Sequence, residues 1–307
     1  MTSPARPAHS DRRTRLRKLA EETLDAVSAG SYTSDDGRTY SLLRRTQFST
    51  QNTRYYPPDS AVLSAWSTAP RLVPPGTLST DISFLEVSTL DGARLLFTQR
   101  GRSSDGRIGV LNFASAKKPG GGFLTGAQAQ EESLARSSNL YPTLLTEPAQ
   151  RFYTLHNKDG KGGYYSHAMV FSPGVALVRD DAGAWLPPVE VDVVTSAAVN
   201  AGVARNTLWG RTAGQAEETK IARAMKERMG RILFLFEQQG VAELVLGSFG
   251  TGVFKNDVAT VARIWAELLC APGARFKNIF DRVLFAIIGH TTFEEFRDAF
   301  QAMAAGA

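Results

Sequence analysis

At 307 residues, with 43% hydrophobic and 21% charged residues, the chain is long enough for one large domain and has a globular make-up. No apolar run reaches the roughly 18–20 residues that span a bilayer, and the opening MTSPARPAHSDRRTRLRKLA lacks the apolar stretch of a secretory signal. A single cysteine, Cys270, excludes an intrachain disulfide, and the net charge of +5 permits an anionic partner without any basic block that demands one.

These features predict an intracellular protein, cytoplasmic or nuclear, with no membrane partner. Arg-rich character gives the start of the chain a faint likeness to a transit peptide. Asp11, Glu21, Glu22 and Asp25 argue for an exposed helix start instead. Cys270, in the apolar run IWAELLCAPG, is expected to be buried and inert.

Residues 11–29 read as a helix, with Leu16, Leu19, Leu24 and Val27 near helical spacing and Gly30 as the stop. Residues 31–80 are polar and punctuated by Pro57, Pro58, Pro74 and Pro75, which predicts short extended pieces and loops. Segment 1–80 is thus an extension packed on a main domain of residues 81–307. From residue 81 the pattern changes. The apolar runs SFLEVS, RIGVLNFAS, AMVFSP, VEVDVVTSA, ELVLGSFG and NIFDRVLFAIIG read as strands buried on both faces. Helices are expected over about 129–139, 214–239, 257–270 and 292–303, the last opened by a capping box at Thr291-Thr292-Phe293-Glu294. The alternation predicts an α/β fold: a three-layer α/β/α sandwich with a mixed, largely parallel central sheet. Ligands of such sheets bind at the C-terminal ends of the strands.

Two glycine-rich loops follow strands. The first runs Ala116-Lys117-Lys118-Pro119-Gly120-Gly121-Gly122-Phe123-Leu124-Thr125-Gly126, the second Phe249-Gly250-Thr251-Gly252-Val253-Phe254-Lys255-Asn256-Asp257. Either alone suits a tight turn. Two on one sheet favour a diphosphate ligand held by backbone N–H groups. Neither has the Gly-Lys-Ser/Thr of a nucleotide-triphosphate loop. Gln130-Glu131-Glu132 follows the first loop at the apparent start of a helix. Neighbours on a helix diverge by about 100°, so one carboxylate can face a ligand while the other anchors to backbone or reaches the sugar from another side. Breaking a glycosidic bond needs a proton for the leaving oxygen and a base for water, and one carboxyl can serve both in turn. Glu217-Glu218 and Glu294-Glu295 read as solvated surface charge. His9, His156, His167 and His290 are scattered without metal-ligand spacing. Tyr164 and Tyr165, beside glycines at 160, 162 and 163 that are expected to loosen the loop, either line the cleft or pack.

Asn112-Phe113-Ala114-Ser115, Pro119-Gly120-Gly121-Gly122 and Gln130-Glu131-Glu132 together resemble the microbial-type poly(ADP-ribose) glycohydrolases of the macrodomain superfamily. Leu244 to Phe254 looks like that family's other phosphate loop, and Val194 to Asn200 like a third shared segment. The resemblance runs from about residue 80 to 290. It implies that Glu132 is the acid/base and that Glu131 orients the distal ribose, with Gln130 completing the motif as a substrate contact. Gly121 and Gly122 would lie near the diphosphate and that ribose. Gly250, Thr251, Gly252 and Val253 would bind diphosphate through N–H groups, Phe254 would pack on the terminal ribose, and Asn112 would stand near it. A partly desolvated site would raise the pKa of the catalytic carboxyl. Phe249 and Thr251 stand where the family often carries Trp and Cys, which puts fine geometry and rate in question. Ser88, Thr89 and Asp91 are candidates for the adenine side.

The implied partners are poly(ADP-ribose), ADP-ribose and ADP-ribosylated proteins, with no metal, no cofactor, no direct nucleic-acid binding and a monomeric state. Hydrolysis of the polymer from its ends, removal of single ADP-ribose units and non-catalytic reading of ADP-ribose all remain open at this stage. Both glutamates count against a reader.

Overall fold

The computed structural model describes residues 9–72, 79–100, 106–158, 160 and 162–306. The first eight residues, Pro74, Pro75, Lys161 and the side chain of His9 lie outside the described residues.

Near-continuous apolar runs in the central strands dictate a sheet covered on both sides, approached through an N-terminal layer. That layer comprises α1 (His9–Ala29), a hairpin of β1 (Ser31–Thr33) and β2 (Thr39–Ser41), α2 (Leu43–Asn52), β3 (Arg54–Tyr56) and α3 (Ala61–Ser64). The first half of the main domain holds β4 (Asp81–Leu85), α4 (Thr89–Gln99) and β5 (Arg107–Phe113), then a 3-10 turn at Phe123–Thr125. It continues with α5 (Gln130–Arg136), α6 (Leu140–Leu144) and α7 (Glu147–Asn157). The second half holds β6 (Met169–Arg179), β7 (Trp185–Ser196), α8 (Ala201–Asn206), α9 (Leu208–Ala213) and α10 (Gln215–Gln238). Last come β8 (Val241–Leu246), α11 (Val258–Leu269), β9 (Arg282–Ala286) and α12 (His290–Ala305).

Seven strands form one sheet in the order β3-β6-β7-β5-β8-β9-β4. Strands β7, β5, β8, β9 and β4 run parallel, and β6 and β3 extend the sheet antiparallel to their neighbours. The period of two sends alternate side chains to opposite faces. Leu111, Val194 and Leu244 join α10, α11 and α12 in one core, while Val110, Val193 and Val245 join α4, α5, α6 and α7 in the other. This is the expected three-layer sandwich.

Several elements depart from the sequence reading. The segment before residue 81 supplies an edge strand, since Arg54 pairs opposite Phe171, and it carries the ten-residue helix α2. Helix α4 hid behind Gly92, where a Cβ would stand 3.2 Å from Ala286 Cβ and Leu284 Cδ2. The missing side chain is what lets α4 press on the sheet. Helix α7 is capped by the Thr146 hydroxyl with proline in its first turn. The expected capping box at 291–294 does not form. Gly289, with φ +96, takes the cap position of α12, and Glu294 pairs with Arg297 at 2.6 Å.

Gly109 in β5 leaves the room that α10 needs: a Cβ there would stand 2.6 Å from Phe236 Cε1 and 2.8 Å from Val241 Cγ1. Gly109→Ala is expected to cost about 1–3 kcal/mol through overpacking, read as a lower midpoint in urea unfolding.

Candidate active site

β5 and β8 stop pairing after Val110, opposite Val245. Beyond that point β5 still pairs with β7, through Phe113 opposite Ser196, but its other edge would be left without partners. The Gln130 side chain supplies them. Its Oε1 accepts from the Phe113 N–H at 2.8 Å, and its Nε2 donates to the Leu111 carbonyl at 2.8 Å and to Thr89 Oγ1 at 3.2 Å. An unpaired buried peptide group is costly, so this amide both closes the sheet and fixes where α5 begins. Gln130, expected to touch substrate, engages its amide with these three protein groups.

The start of α5 then decides the fate of the two glutamates. Glu131 points inward and is 2% exposed. It accepts from the Ser115 N–H at 2.6 Å and from Asn112 Nδ2 at 3.4 Å. Asn112, itself fully buried, also donates to Thr195 Oγ1 at 3.2 Å. Burial pushes the Glu131 carboxyl up to about 8; the Ser115 N–H opposes this and the charge of Glu132 adds to it. The sequence reading expects a raised pKa in the catalytic site, and burial produces one at Glu131. Glu132 is only half-buried and accepts from the Gly122 N–H at 2.9 Å. Gly120 and Gly121 reach this arrangement with φ of +65 and +60, a region that favours glycine. A Cβ on Gly121 would collide with Glu132 Oε1, come within 2.9 Å of its Cδ and within 3.1 Å of Glu131 Oε2.

The second loop closes on Asn256. Its buried Nδ2 donates to the Gly250 carbonyl at 2.9 Å and to the Val199 carbonyl at 2.7 Å, tying this loop to the one after β7. Thr251 turns its N–H back to the Ser248 carbonyl at 3.2 Å, so the expected diphosphate donor at that position is taken. The N–H groups of Gly250, Gly252, Val253 and Phe254 have no acceptor among the described residues. Gly252 and Val253 are exposed. Phe249 is fully buried against Phe113, with centroids 5.6 Å apart, which fills the place the family often gives to tryptophan. Phe254 is half-buried and stands 5.8 Å from the Tyr165 ring, which has φ +52 and leans on buried His156.

Other residues emerged only with the structure. Arg228 is fully buried and donates to the Ala197 carbonyl at 2.6 Å and the Tyr164 carbonyl at 2.9 Å, holding two site loops. Burial pulls its pKa down to about 9. Its signal was an arginine on the apolar face of α10. Glu217, expected on the solvated surface, is 2% exposed and accepts from the Tyr164 hydroxyl at 2.8 Å. Glu218 pairs with Arg205 at 2.6 Å. Ser88 caps α4 by accepting from the Asp91 N–H at 3.0 Å, so its hydroxyl has a local structural role. Cys270 is half-buried and burial raises its thiol. Among the described residues no three His, Cys, Asp or Glu side chains are grouped to hold a metal, and no helix is long and apolar enough to cross a membrane.

The family model described as "Microbial-type PARG, catalytic domain" matches residues 20–180, more than half of the chain and including both glutamates. The chain belongs to the microbial-type poly(ADP-ribose) glycohydrolase family. Poly(ADP-ribose) glycohydrolase from Thermomonospora curvata, solved with the inhibitor ADP-HPD, is 35% identical with a TM-score of 0.79 over 94% of this chain and 99% of that one. The Deinococcus radiodurans enzyme, solved with ADP-ribose, is 32% identical with a TM-score of 0.71 over 84% of this chain and 98% of that one. None of the curated proteins matches. The fold is therefore the macrodomain-like one of these glycohydrolases.

Two expectations follow from the carboxyl pair. Gly121→Ala should abolish polymer hydrolysis while leaving a folded protein by circular dichroism, because both glutamates would have to move. The folded pKa of Glu131 lies above its ordinary 4.5, so the folded state binds more protons between those values. Stability is then fully present below about pH 4.5 and falls as pH rises towards about 8. Glu131→Gln should flatten this decline, measured as denaturation midpoints at acidic and at mildly alkaline pH.

Proposed function

We infer that the chain hydrolyses the ribose–ribose O-glycosidic bonds of poly(ADP-ribose), including polymer carried on ADP-ribosylated proteins, and releases ADP-ribose from chain ends. The observation that carries this reading is the division of labour between adjacent carboxyls: Glu131 buried in the protein, Glu132 held by Gly122 at the open side of the first glycine loop. A reader of ADP-ribose has no need of such a pair. The T. curvata and D. radiodurans enzymes, crystallised with ADP-HPD and ADP-ribose, lend support.

In this mechanism the exposed N–H groups of the second loop hold the diphosphate of the terminal unit, and Phe254 packs on its distal ribose. Glu132, protonated, donates to the leaving 2′-oxygen of the neighbouring unit as the C1″–O bond breaks. The nearby diphosphate stabilises the positive charge that develops on the ribose. Water adds at C1″ and returns a proton to Glu132, giving free ADP-ribose and a polymer one unit shorter. Glu131 keeps the Asn112–Ser115 backbone in place beneath the ribose. No step calls for a metal or cofactor, and one copy of the chain supplies every group named.

Glu132→Gln should lower ADP-ribose release from purified polymer at least about 100-fold while keeping ADP-ribose affinity by calorimetry close to wild type. Binding of ADP-ribose by the wild type without any release would contradict the hydrolase reading.

A further inference from the structure

Large apolar side chains on a soluble surface are informative when they gather beside a site. Leu208 is 81% exposed and Trp209 63% exposed, side by side at the start of α9. Helix α9 cannot turn them inward. Gly210 faces the chain of α8, where a Cβ would stand 2.9 Å from Arg205 Cα, and Thr207 caps α9 by accepting from the Gly210 N–H at 3.0 Å. The α9 register is set by that close approach, and it leaves the indole facing outward.

This surface is continuous with the active site. The Gly202 N–H at the start of α8 donates to the Phe254 carbonyl at 3.1 Å, and Arg205 Nη1 donates to the Lys255 carbonyl at 2.6 Å. The Lys255 stem lies over Gly202, where a Cβ would stand 3.4 Å from its Cγ. Val253, 78% exposed, and Val203, 48% exposed, add apolar surface on the loop and on α8. Basic charge predominates, with exposed Asp257 at the end of the loop occupied as the cap of α11, where it accepts from the Thr260 N–H at 2.8 Å. Residues 201–226 carry five basic residues against two acidic ones. Of the acidic pair, Glu217 is buried under Tyr164 and Glu218 is neutralised by Arg205. Arg211, Lys220 and Lys255 remain exposed.

An exposed indole on a segment rich in basic residues is suited to stacking a base while the cations neutralise its phosphates. We propose that the α8–α9 surface is a second polymer-binding site, holding the ADP-ribose unit beyond the scissile bond with adenine on Trp209 and diphosphate on Arg211 and Lys255. This rests on the hydrolase reading above. There, Phe254 packs on the distal ribose whose C1″ bears the rest of the chain, so the polymer leaves over the helix bonded to the Phe254 carbonyl. The site contributes affinity for long substrates and nothing to the bond being cut.

The test is done in Glu132→Gln protein, which leaves the polymer intact, by measuring the affinities of defined-length poly(ADP-ribose) and of ADP-ribose. Trp209→Ala should lower the polymer-to-monomer affinity ratio at least about fivefold, and Trp209→Phe should restore most of it. Arg211→Glu should lower the same ratio and make polymer binding less sensitive to salt. An unchanged ratio in Trp209→Ala and Arg211→Glu, with wild-type hydrolysis intact, overturns this proposal alone. A wild type that neither binds nor hydrolyses the polymer overturns the hydrolase reading and this one with it. A single-stranded oligoadenylate that displaces polymer from this face more effectively than free polymer does would make it a nucleic-acid surface, and that also overturns the proposal.

Discussion

Where β5 and β8 separate, one side-chain amide takes the place of a strand. Gln130 satisfies the Leu111 carbonyl and the Phe113 N–H that the parting strands leave behind. The cleft between the strands can then open without stranding peptide groups. Because Gln130 is also the first residue of α5, the same contact sets the rotation of that helix. Glu131 is turned into the protein and Glu132 toward Gly122, which follows from the roughly 100° between helix neighbours. Opening the cleft and presenting the carboxyl are thus one structural event.

The N-terminal layer braces that event from behind. Thr23 on α1 donates to the Arg136 carbonyl at 2.6 Å, at the end of α5, and Arg13 donates to the Thr125 carbonyl at 2.7 Å, in the turn after the glycines. Arg136, largely buried, reaches the Ala127 carbonyl at 2.7 Å. Arg179 anchors α1 to the sheet through Glu22 at 2.8 Å and Thr23 at 3.0 Å, with its guanidinium 3.5 Å from the Trp185 ring centroid. The stretch from the turn after the glycines to the end of α5 is therefore fixed at both ends by contacts from a helix far away in sequence. On the opposite wall Arg228 and Asn256 do the same for the loops after β7 and β8.

Much of this is legible in the amino-acid sequence. The doubly buried strands stand out because their residues are apolar on both faces, and the two glycine loops because consecutive glycines are costly without a reason. Glu131-Glu132 was singled out by its place after such a loop. What stayed hidden depends on partners distant in sequence. Nothing local marks Gln130 as a substitute for a strand, Thr251 as a donor turned back on Ser248, or Glu217 as the acceptor of a tyrosine hydroxyl. Helix α4 is absent from the sequence reading, and its Gly92 finds its reason only in the sheet beneath it. Local propensity yielded to packing there.

The account stands on Glu132, and not its neighbour, reaching the scissile oxygen. The most direct measurement is a crystal structure of Glu132→Gln protein bound to a fragment spanning one intact ribose–ribose bond. The account predicts residue 132 within hydrogen-bond reach of the glycosidic oxygen, about 2.6–3.2 Å, with Glu131 still bonded to Ser115. A fragment bound with that oxygen at Glu131, or out of reach of both side chains, would contradict it.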